Sequence, residues 1–212
     1  MILNVPCERN LAKGTLRRVT EQLPERITDP KALRALSHPT RWKLIELLGL
    51  ERTATATRCA EFTGESVASC SYHLNMLAKY GFVEQADGGT GREKPWKLVK
   101  YDQSWDAEGL EPEGAMAAET LTEVFLDYEV GRIKEFNRRR GREPEEWRRH
   151  ARTRATITWL TADEFAEVSR DIAAVWARYD GRLEDSSLRP EGSRAVRLFL
   201  AQYLPQPARA EE

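Results

Sequence analysis

Cysteine is scarce in this sequence, with three residues among 212: Cys7, Cys59 and Cys70. An odd number at wide spacing argues against a disulfide framework and is typical of a reducing compartment. Long apolar runs are missing too, because no stretch approaches the roughly 20 apolar residues that cross a bilayer. The N-terminus lacks a basic segment followed by an apolar one, which is the pattern of a secretory signal. The sequence therefore predicts a cytoplasmic protein with no membrane partner.

Motifs for catalysis are missing as well. None of the three histidines, His38, His73 and His150, stands in a recognisable motif with a Ser or Cys nucleophile. The glycines at 88, 89 and 91 follow a predicted strand but do not form a phosphate-cradling loop. We therefore expect no enzyme activity, no catalytic residue and no cofactor, although histidines and acids that are distant in sequence can still meet in space.

Charge is nearly balanced overall but unevenly distributed. Residues 1–100 contain sixteen Lys and Arg against eleven Asp and Glu, a net charge of +5. Residues 101–212 contain seventeen Lys and Arg against twenty-three Asp and Glu, a net charge of −6. A basic half joined to an acidic half is typical of a DNA-binding module linked to a module of another kind.

The stretch of residues 57–83 predicts two helices joined by a tight turn. Gly64 favours the left-handed backbone that ends a helix, and Ser66 is a good N-cap for the next one. In the second helix, apolar residues recur at helical spacing and predict one buried face: Cys70, Leu74 and Leu77. The opposite face has the small and polar side chains that a helix needs to enter the major groove of DNA: Ala68, Ser69, Ser71, Tyr72, Asn75 and Lys79.

Two short apolar segments follow, at residues 82–86 and 95–100, and a Gly-rich loop with a basic tip joins them at residues 87–94. This pattern predicts a β-hairpin, and residues 53–57 could add a short strand beside it. A recognition helix followed by such a hairpin is the arrangement of a winged helix.

Two helices precede this motif. Asp29 as N-cap and Pro30 as first helical residue start the first of them. The second starts at Thr40 and turns Arg41 and Lys43 outward, where they either approach the DNA backbone or are merely solvated. Residues 1–28 form a basic N-terminal arm that touches DNA, packs on a partner subunit or is solvated.

Three sequence blocks resemble the bacterial ArsR-type winged helix-turn-helix transcriptional regulators. ALSHPTRWKLIELL at residues 35–48 resembles the first helix pair of that family. SCSYHLNML at residues 69–77, followed by GFV, resembles its recognition helix, and GREKPWKL at residues 91–98 resembles its wing. Together the blocks fall within residues 29–100, about a third of the chain. The resemblance implies a winged helix that binds double-stranded DNA.

The residues predicted to contact DNA lie at the start of the second helix, on the recognition helix and on the wing: Thr40, Arg41, Ser66, Val67, Ala68, Ser69, Ser71, Tyr72, Asn75, Lys79, Arg92 and Lys94. Among them, Ser71, Tyr72 and Asn75 are expected to reach base edges, whereas Arg92 and Lys94 are expected to contact phosphates.

Many proteins of the resembled family sense metals through a Cys-x-Cys pair in the first helix of the motif. Here that region, residues 57–62, contains Cys59 alone, and a lone thiolate cannot build the multi-ligand site that soft metals require. Cys59 and Cys70 fall at core positions, where we expect small buried hydrophobes. The sequence therefore predicts no metal site, and thiol redox sensing is the alternative.

The second half of the chain predicts a compact α+β unit at residues 115–204, after a linker at residues 101–114 and before a tail at residues 205–212. A long helix spans roughly residues 115–140 and is the expected dimer seam. Strict alternation predicts a strand at residues 154–160, and a second strand follows at residues 194–200. Between them, Thr161 and Glu164 form a capping box for a helix that ends near Tyr179. Its expected buried residues are Phe165, Val168, Ile172, Val175 and Trp176.

Aromatic residues are frequent in this second half. Most are expected to be core, but a unit rich in Trp and Tyr could enclose an apolar or aromatic small-molecule effector. The candidate pocket residues are Phe125, Tyr128, Trp159, Phe165, Trp176 and Phe199.

The predicted fold class is mainly α with a small β component: a winged helix-turn-helix DNA-binding domain at residues 29–100, followed by a helical or α+β dimerisation or effector domain. The predicted function is sequence-specific DNA binding by a homodimer that regulates transcription from a palindromic operator. A winged helix turned into a protein-binding module and an enzyme with an appended winged helix are the alternatives.

Overall fold

The computed structural model of the protein describes residues 26–88, 93–101 and 103–205. Within these ranges the fold is mainly helical, with one three-stranded antiparallel sheet, which confirms the predicted fold class. The helices are α1 (Pro30–Leu36), α2 (Pro39–Glu51), α3 (Ala56–Thr63), α4 (Val67–Lys79), α5 (Pro112–Arg139), α6 (Glu145–Arg148), α7 (Ala162–Ala177) and α8 (Gly181–Glu184). The strands are β1 (Thr53–Ala54), β2 (Val83–Gln85) and β3 (Trp96–Leu98).

Local capping signals set the helix boundaries of the first half. The Asp29 carboxylate accepts a hydrogen bond from the backbone N–H of Lys31 at 2.9 Å, with Pro30 at the start of α1. The Ser66 hydroxyl accepts from the N–H of Ser69 at 3.1 Å and caps α4. Gly64 has a φ of 77° and ends α3, since a glycine adopts this left-handed backbone without steric cost. These predicted caps are confirmed.

The sheet forms the predicted wing. Its strand order is β1-β3-β2, and all pairs are antiparallel. Val83 lies opposite Leu98 in the hairpin, and the short strand β1 pairs through Thr53 with Lys97. The extra strand expected near residues 53–57 is therefore present. Its pairing fixes the wing to the end of α2.

One hydrophobic core holds α1 to α4 and the sheet together. Leu33, Leu44 and Leu74 are among its fully buried residues. The first turns of α5 belong to the same core through Ala117, Ala118 and Leu121. The predicted linker at residues 101–114 differs from the structure at its end, because α5 begins within it at Pro112 and packs into this core. Sequence composition identified the polar loop but could not show that α5 packs back on α1.

Contacts between α2 and α5 extend this packing. The Tyr128 hydroxyl donates a hydrogen bond to the Glu46 carboxylate, and the Arg132 guanidinium donates to the same carboxylate at 2.6 Å. Trp105, in the loop before α5, donates from Nε1 to the Thr122 hydroxyl at 2.9 Å. These hydrogen bonds fix the loop and the first half of α5 to the unit formed by α1 to α4 and the sheet.

The two strands predicted at residues 154–160 and 194–200 are absent, which corrects the α+β expectation for this region. In the described part of the chain, neither segment makes a backbone–backbone hydrogen bond. An alternating pattern predicts which side chains share a face, but a strand also needs a neighbour to pair with. The described part of the chain supplies no such neighbour.

Helix α7 differs from its prediction in burial rather than in existence. The capping box of Thr161 and Glu164 is confirmed. The helix ends at Ala177, and none of its residues is buried. The expectation that Phe165, Val168, Ile172, Val175 and Trp176 form a core is therefore wrong for the single chain. The reason is that no other helix or strand of the described residues packs extensively against α7.

Candidate nucleic-acid interface

Helix α4 divides into a buried and an exposed face. Cys70, Leu74 and Leu77 are fully buried in the core, which confirms the predicted inner face. On the opposite side, Tyr72 and Asn75 are exposed, and the α4 surface there is polar and free of carboxylates. This is the face that can enter a major groove.

The start of α4 adds a second group of accessible side chains. Ser66, Val67 and Ala68 are exposed, whereas Ser69 and Ser71 are half-buried. The Ser69 hydroxyl lies 3.4 Å from the Glu65 carboxylate. Glu65 is also exposed, so an acid lies beside the start of α4. At the other end, Lys79 is exposed, with its ammonium 5.6 Å from the centroid of the Tyr80 ring.

Asn75 has a partner in the free protein. Its side-chain amide donates to the backbone oxygen of Ser71, one turn earlier, at 2.8 Å. A contact with a base edge would therefore require a rotamer change that exchanges this bond for one to DNA. Tyr72 would not have to give up such a hydrogen bond in order to contact a base. Its ring packs edge-on against His73 at a centroid distance of 5.3 Å.

The wing is fastened to α3 by a residue that the sequence did not single out. The Glu93 carboxylate accepts from the backbone N–H of Thr57 at 2.9 Å and lies 3.2 Å from the Thr57 hydroxyl. A carboxylate at the start of a helix is favoured by the helix dipole. Lys94, next to it, is exposed, whereas Arg92 lies outside the described residues. No local pattern could have identified this contact, because it joins residues 36 positions apart.

An open cleft of about 380 Å³ lies between α3, α4 and the wing. Its walls include Thr57 and Ser71 on the helices, with Glu93 and Lys94 on the wing. The cleft thus joins the recognition helix to the wing in one concave surface that displays both polar groups and a cation.

Arg41 is buried, which corrects the expectation that it points outward. Only 8% of the residue is exposed. Its guanidinium donates to the backbone oxygens of Ala35 at 2.5 Å and Arg34 at 3.4 Å, at the C-terminal end of α1. Its Nε–H donates to His73 Nδ1 at 3.3 Å. Arg41 therefore joins α1, α2 and α4. Thr40 is also buried, so neither residue offers a free surface to DNA.

Two histidines lie in the same junction. The His38 and His73 ring centroids are 4.4 Å apart, and His38 Nδ1 accepts from the N–H of Thr40 at 3.2 Å as the N-cap of α2. Burial lowers the pKa of both rings, and the neighbouring Arg41 cation lowers each pKa further. Both imidazoles are therefore held neutral, and His73 can act as an acceptor on α4.

The cysteines of the helix-turn-helix motif lie in the core. Cys59 and Cys70 are fully buried, and burial raises the pKa of the Cys59 thiol to about 12. The Cys70 sulfur lies 3.4 Å from the Thr63 hydroxyl. Among the described residues, no group of three or more His, Cys, Asp or Glu side chains is arranged to hold a metal ion. Reactive cysteines are exposed thiolates, so the two positions favour the packing interpretation.

The predicted effector residues are not brought together as one set. Phe125 and Phe199 are in contact, with ring centroids 6.2 Å apart, and Phe125 also packs on Trp42 and Trp105. The Tyr128 hydroxyl is hydrogen-bonded to Glu46 of α2, and Trp159 is almost fully exposed. Phe165 and Trp176 lie on the exposed helix α7. An effector pocket stays a prediction.

None of the described helices is both long enough and apolar enough to cross a membrane.

Comparison with models of known protein families gives a match to part of the chain. Residues 36–86 match the family profile of a helix-turn-helix domain, which spans α2, α3, α4 and β2, about a quarter of the chain. No curated protein matches the sequence. The match agrees with the geometry of α3, the turn at residues 64–66 and α4. The chain therefore carries a helix-turn-helix domain, a kind of domain whose presence indicates DNA binding in transcription regulation.

Proposed function

We propose that this protein is a sequence-specific DNA-binding transcriptional regulator of the ArsR type that acts as a homodimer. The observation that carries the proposal is the exposed face of α4. Helix α4 has a fully buried inner face and an outer face of small, polar and aromatic side chains, and the wing lies beside it. A helix of this kind fits a major groove, where polar side chains distinguish base pairs.

The proposal assigns two roles to the interface. Tyr72 and Asn75 read base edges from the middle of α4. Lys79, Lys94 and Arg92 contact phosphates at the end of α4 and on the wing. Homodimerisation follows from the size of the site, because one winged helix reads few base pairs and a dimer reads two half-sites about one helical turn apart.

The experiment is a fluorescence anisotropy titration of the purified protein on fragments of its own promoter and on unrelated DNA of equal length. Tyr72→Ala and Asn75→Ala should each reduce the preference for the promoter fragment by a factor that corresponds to about 1–3 kcal/mol per lost base contact. Tyr179→Ala, which changes another exposed tyrosine far along the chain, is the matched control for Tyr72→Ala.

Lysine variants test the second role. Lys79→Ala and Lys94→Ala should weaken binding to all sequences alike and reduce the dependence of affinity on salt. Lys134→Ala, at an exposed position of α5, is the matched control and should bind as the wild type does. Binding with no salt dependence, or with equal affinity in all three lysine variants, would favour the alternative of a protein-binding module.

A further inference from the structure

Two segments near the C-terminus expose apolar side chains that folded proteins normally bury. In residues 154–160, Ile157 is 81% exposed and Trp159 is 96% exposed. In residues 194–204, Val196 and Leu198 are 63% and 56% exposed, and Tyr203 is also largely exposed. We refer to these two stretches as the C-terminal segments. Single exposed apolar residues need no explanation, but groups of this size mark interaction surfaces.

One side of the segment at residues 194–204 contacts helix α5 of its own chain. The Arg197 guanidinium donates to the carboxylate of Glu129, a fully buried residue of α5, with 3.3 Å between Nε and Oε2. The Phe199 ring packs on Phe125. Val196 and Leu198 alternate with these two residues and face solvent. The segment therefore turns its aliphatic side away from its own chain, the reverse of what a monomer would favour.

The backbone of both segments is also unpaired among the residues that the structure describes. In the described part of the chain, no backbone–backbone hydrogen bond involves residues 154–160 or 194–204. Free N–H and C=O groups beside alternating apolar side chains form an edge that can pair with another chain. Helix α7, which connects the first segment to the second, presents a further unburied apolar face.

The exposed apolar surface is extensive. Side chains that contribute to it are Ile157, Trp159, Val196, Leu198, Leu200 and Tyr203. Covering Trp159 and Tyr203 alone would bury roughly 300–500 Å² per chain, and a standard interface buries about 800 Å² on each partner. The two aromatic residues would therefore supply roughly half of the area that a dimer needs, and the aliphatic residues add to it.

We propose that a second copy of this chain covers the C-terminal segments, and that the segments of the two copies pair with each other in the dimer. The sequence predicts two strands here, and the described residues of the single chain pair neither of them. Pairing between copies satisfies both strands and buries the aliphatic side of residues 194–204.

Two features favour a second copy as the occupant. A two-fold axis brings the same edge and the same apolar residues face to face, so the surface needs to complement only itself. The second segment contains two arginines, Arg194 and Arg197, and each is paired with a carboxylate of its own chain, Glu143 and Glu129. This segment therefore offers no unpaired charge among its described residues with which to select a partner of opposite sign. The choice also rests on the proposed function, since a palindromic operator requires two copies.

The test compares two double variants of equal chemistry by light scattering at micromolar concentration. Val196→Lys with Leu198→Lys charges the outward side of the second segment. Leu126→Lys with Val130→Lys makes the same changes on α5, at positions that are 39% and 41% exposed. All four side chains are exposed in the single chain, so each variant should fold, which circular dichroism checks.

We expect a mass of twice the chain mass of 24.3 kDa for the wild type and for the α5 variant, and the mass of one chain for the segment variant. A wild-type monomer would overturn the proposal, and so would a segment variant that stays dimeric. A monomeric α5 variant with a dimeric segment variant would move the seam to the long helix instead.

Amide hydrogen exchange gives a second, independent measurement on the wild type. The amides of residues 195–200 should be protected in the dimer and should lose this protection when the protein is diluted below its dimer dissociation constant. Fast exchange in the dimer would contradict strand pairing. DNA affinity separates this proposal from the proposed function: a dimer of the expected mass that binds no DNA would reject only the latter.

Discussion

The two ends of this chain follow the same sequence patterns with opposite results. In α1 to α4, apolar residues at helical spacing predict a buried face, and Leu33, Leu44 and Leu74 are fully buried. In α7 the same spacing predicts a buried face, and no residue is buried. Periodicity therefore predicts an element and the face on which its apolar residues lie. Burial additionally requires a partner, which α1 to α4 find in the described part of their own chain and α7 does not.

The largest expected effect tests the packed side of this comparison. Leu74→Ala removes a fully buried side chain from the inner face of α4 and should lower the free energy of unfolding by about 2–5 kcal/mol. Trp159→Ala removes a side chain that is almost entirely exposed, so in the monomer it should change that free energy by about 0.5 kcal/mol or less.

Urea denaturation at protein concentrations below dimer formation measures both changes. Repeating it at high concentration sharpens the comparison, because Trp159→Ala should then become destabilising if a second copy covers this residue. Equal losses for the two variants in the monomer would show that the two regions are packed alike.

A second prediction concerns Arg41, which looks like a DNA contact in the sequence and is buried in the structure. Arg41→Ala leaves the backbone oxygen of Ala35 without its donor and should lower the free energy of unfolding by about 1–3 kcal/mol. Lys94→Ala, on the exposed wing, should change stability little but should reduce the salt dependence of DNA binding. An Arg41→Ala variant that is as stable as the wild type, but whose DNA affinity depends less on salt, would contradict the structural role of Arg41.

The features predicted correctly from the sequence are those with local signals. Asp29 with Pro30, Gly64 with Ser66, and Thr161 with Glu164 each act within a few residues, and each cap was predicted. The position of Arg41 was not, because the partners of its guanidinium lie six and seven residues earlier and 32 residues later in the chain. The Glu93 contact is non-local as well.

The two predicted strands are absent for the same reason: strand formation depends on a non-local partner. Alternation at residues 154–160 and 194–200 describes the faces of a chain segment, whereas strand pairing depends on which other segment lies beside it. No local rule specifies that neighbour.

The smallest expected effect is a pH dependence of the N-terminal unit. Burial and Arg41 lower the pKa values of His38 and His73 from their ordinary value of 6.5. The unfolded chain therefore binds more protons than the folded one just below pH 6.5, so stability should fall as the pH decreases from 7.5 to 5.5. Protonated His73 also loses its role as acceptor for Arg41.

Thermal denaturation across this pH range measures the decrease, and His73→Gln should flatten it, with His150→Gln as the control. A wild type that becomes more stable as the pH falls through this window would contradict the assignment of neutral imidazoles.

The most direct test of the account is a footprint of the protein on its own promoter DNA at physiological salt. We expect two protected major-groove patches with centres about 10–10.5 base pairs apart. Tyr72→Asp, which adds a carboxylate to the exposed face of α4, should abolish both. Protection that survives Tyr72→Asp, or the absence of any protection with folded wild-type protein, would contradict DNA recognition by this helix.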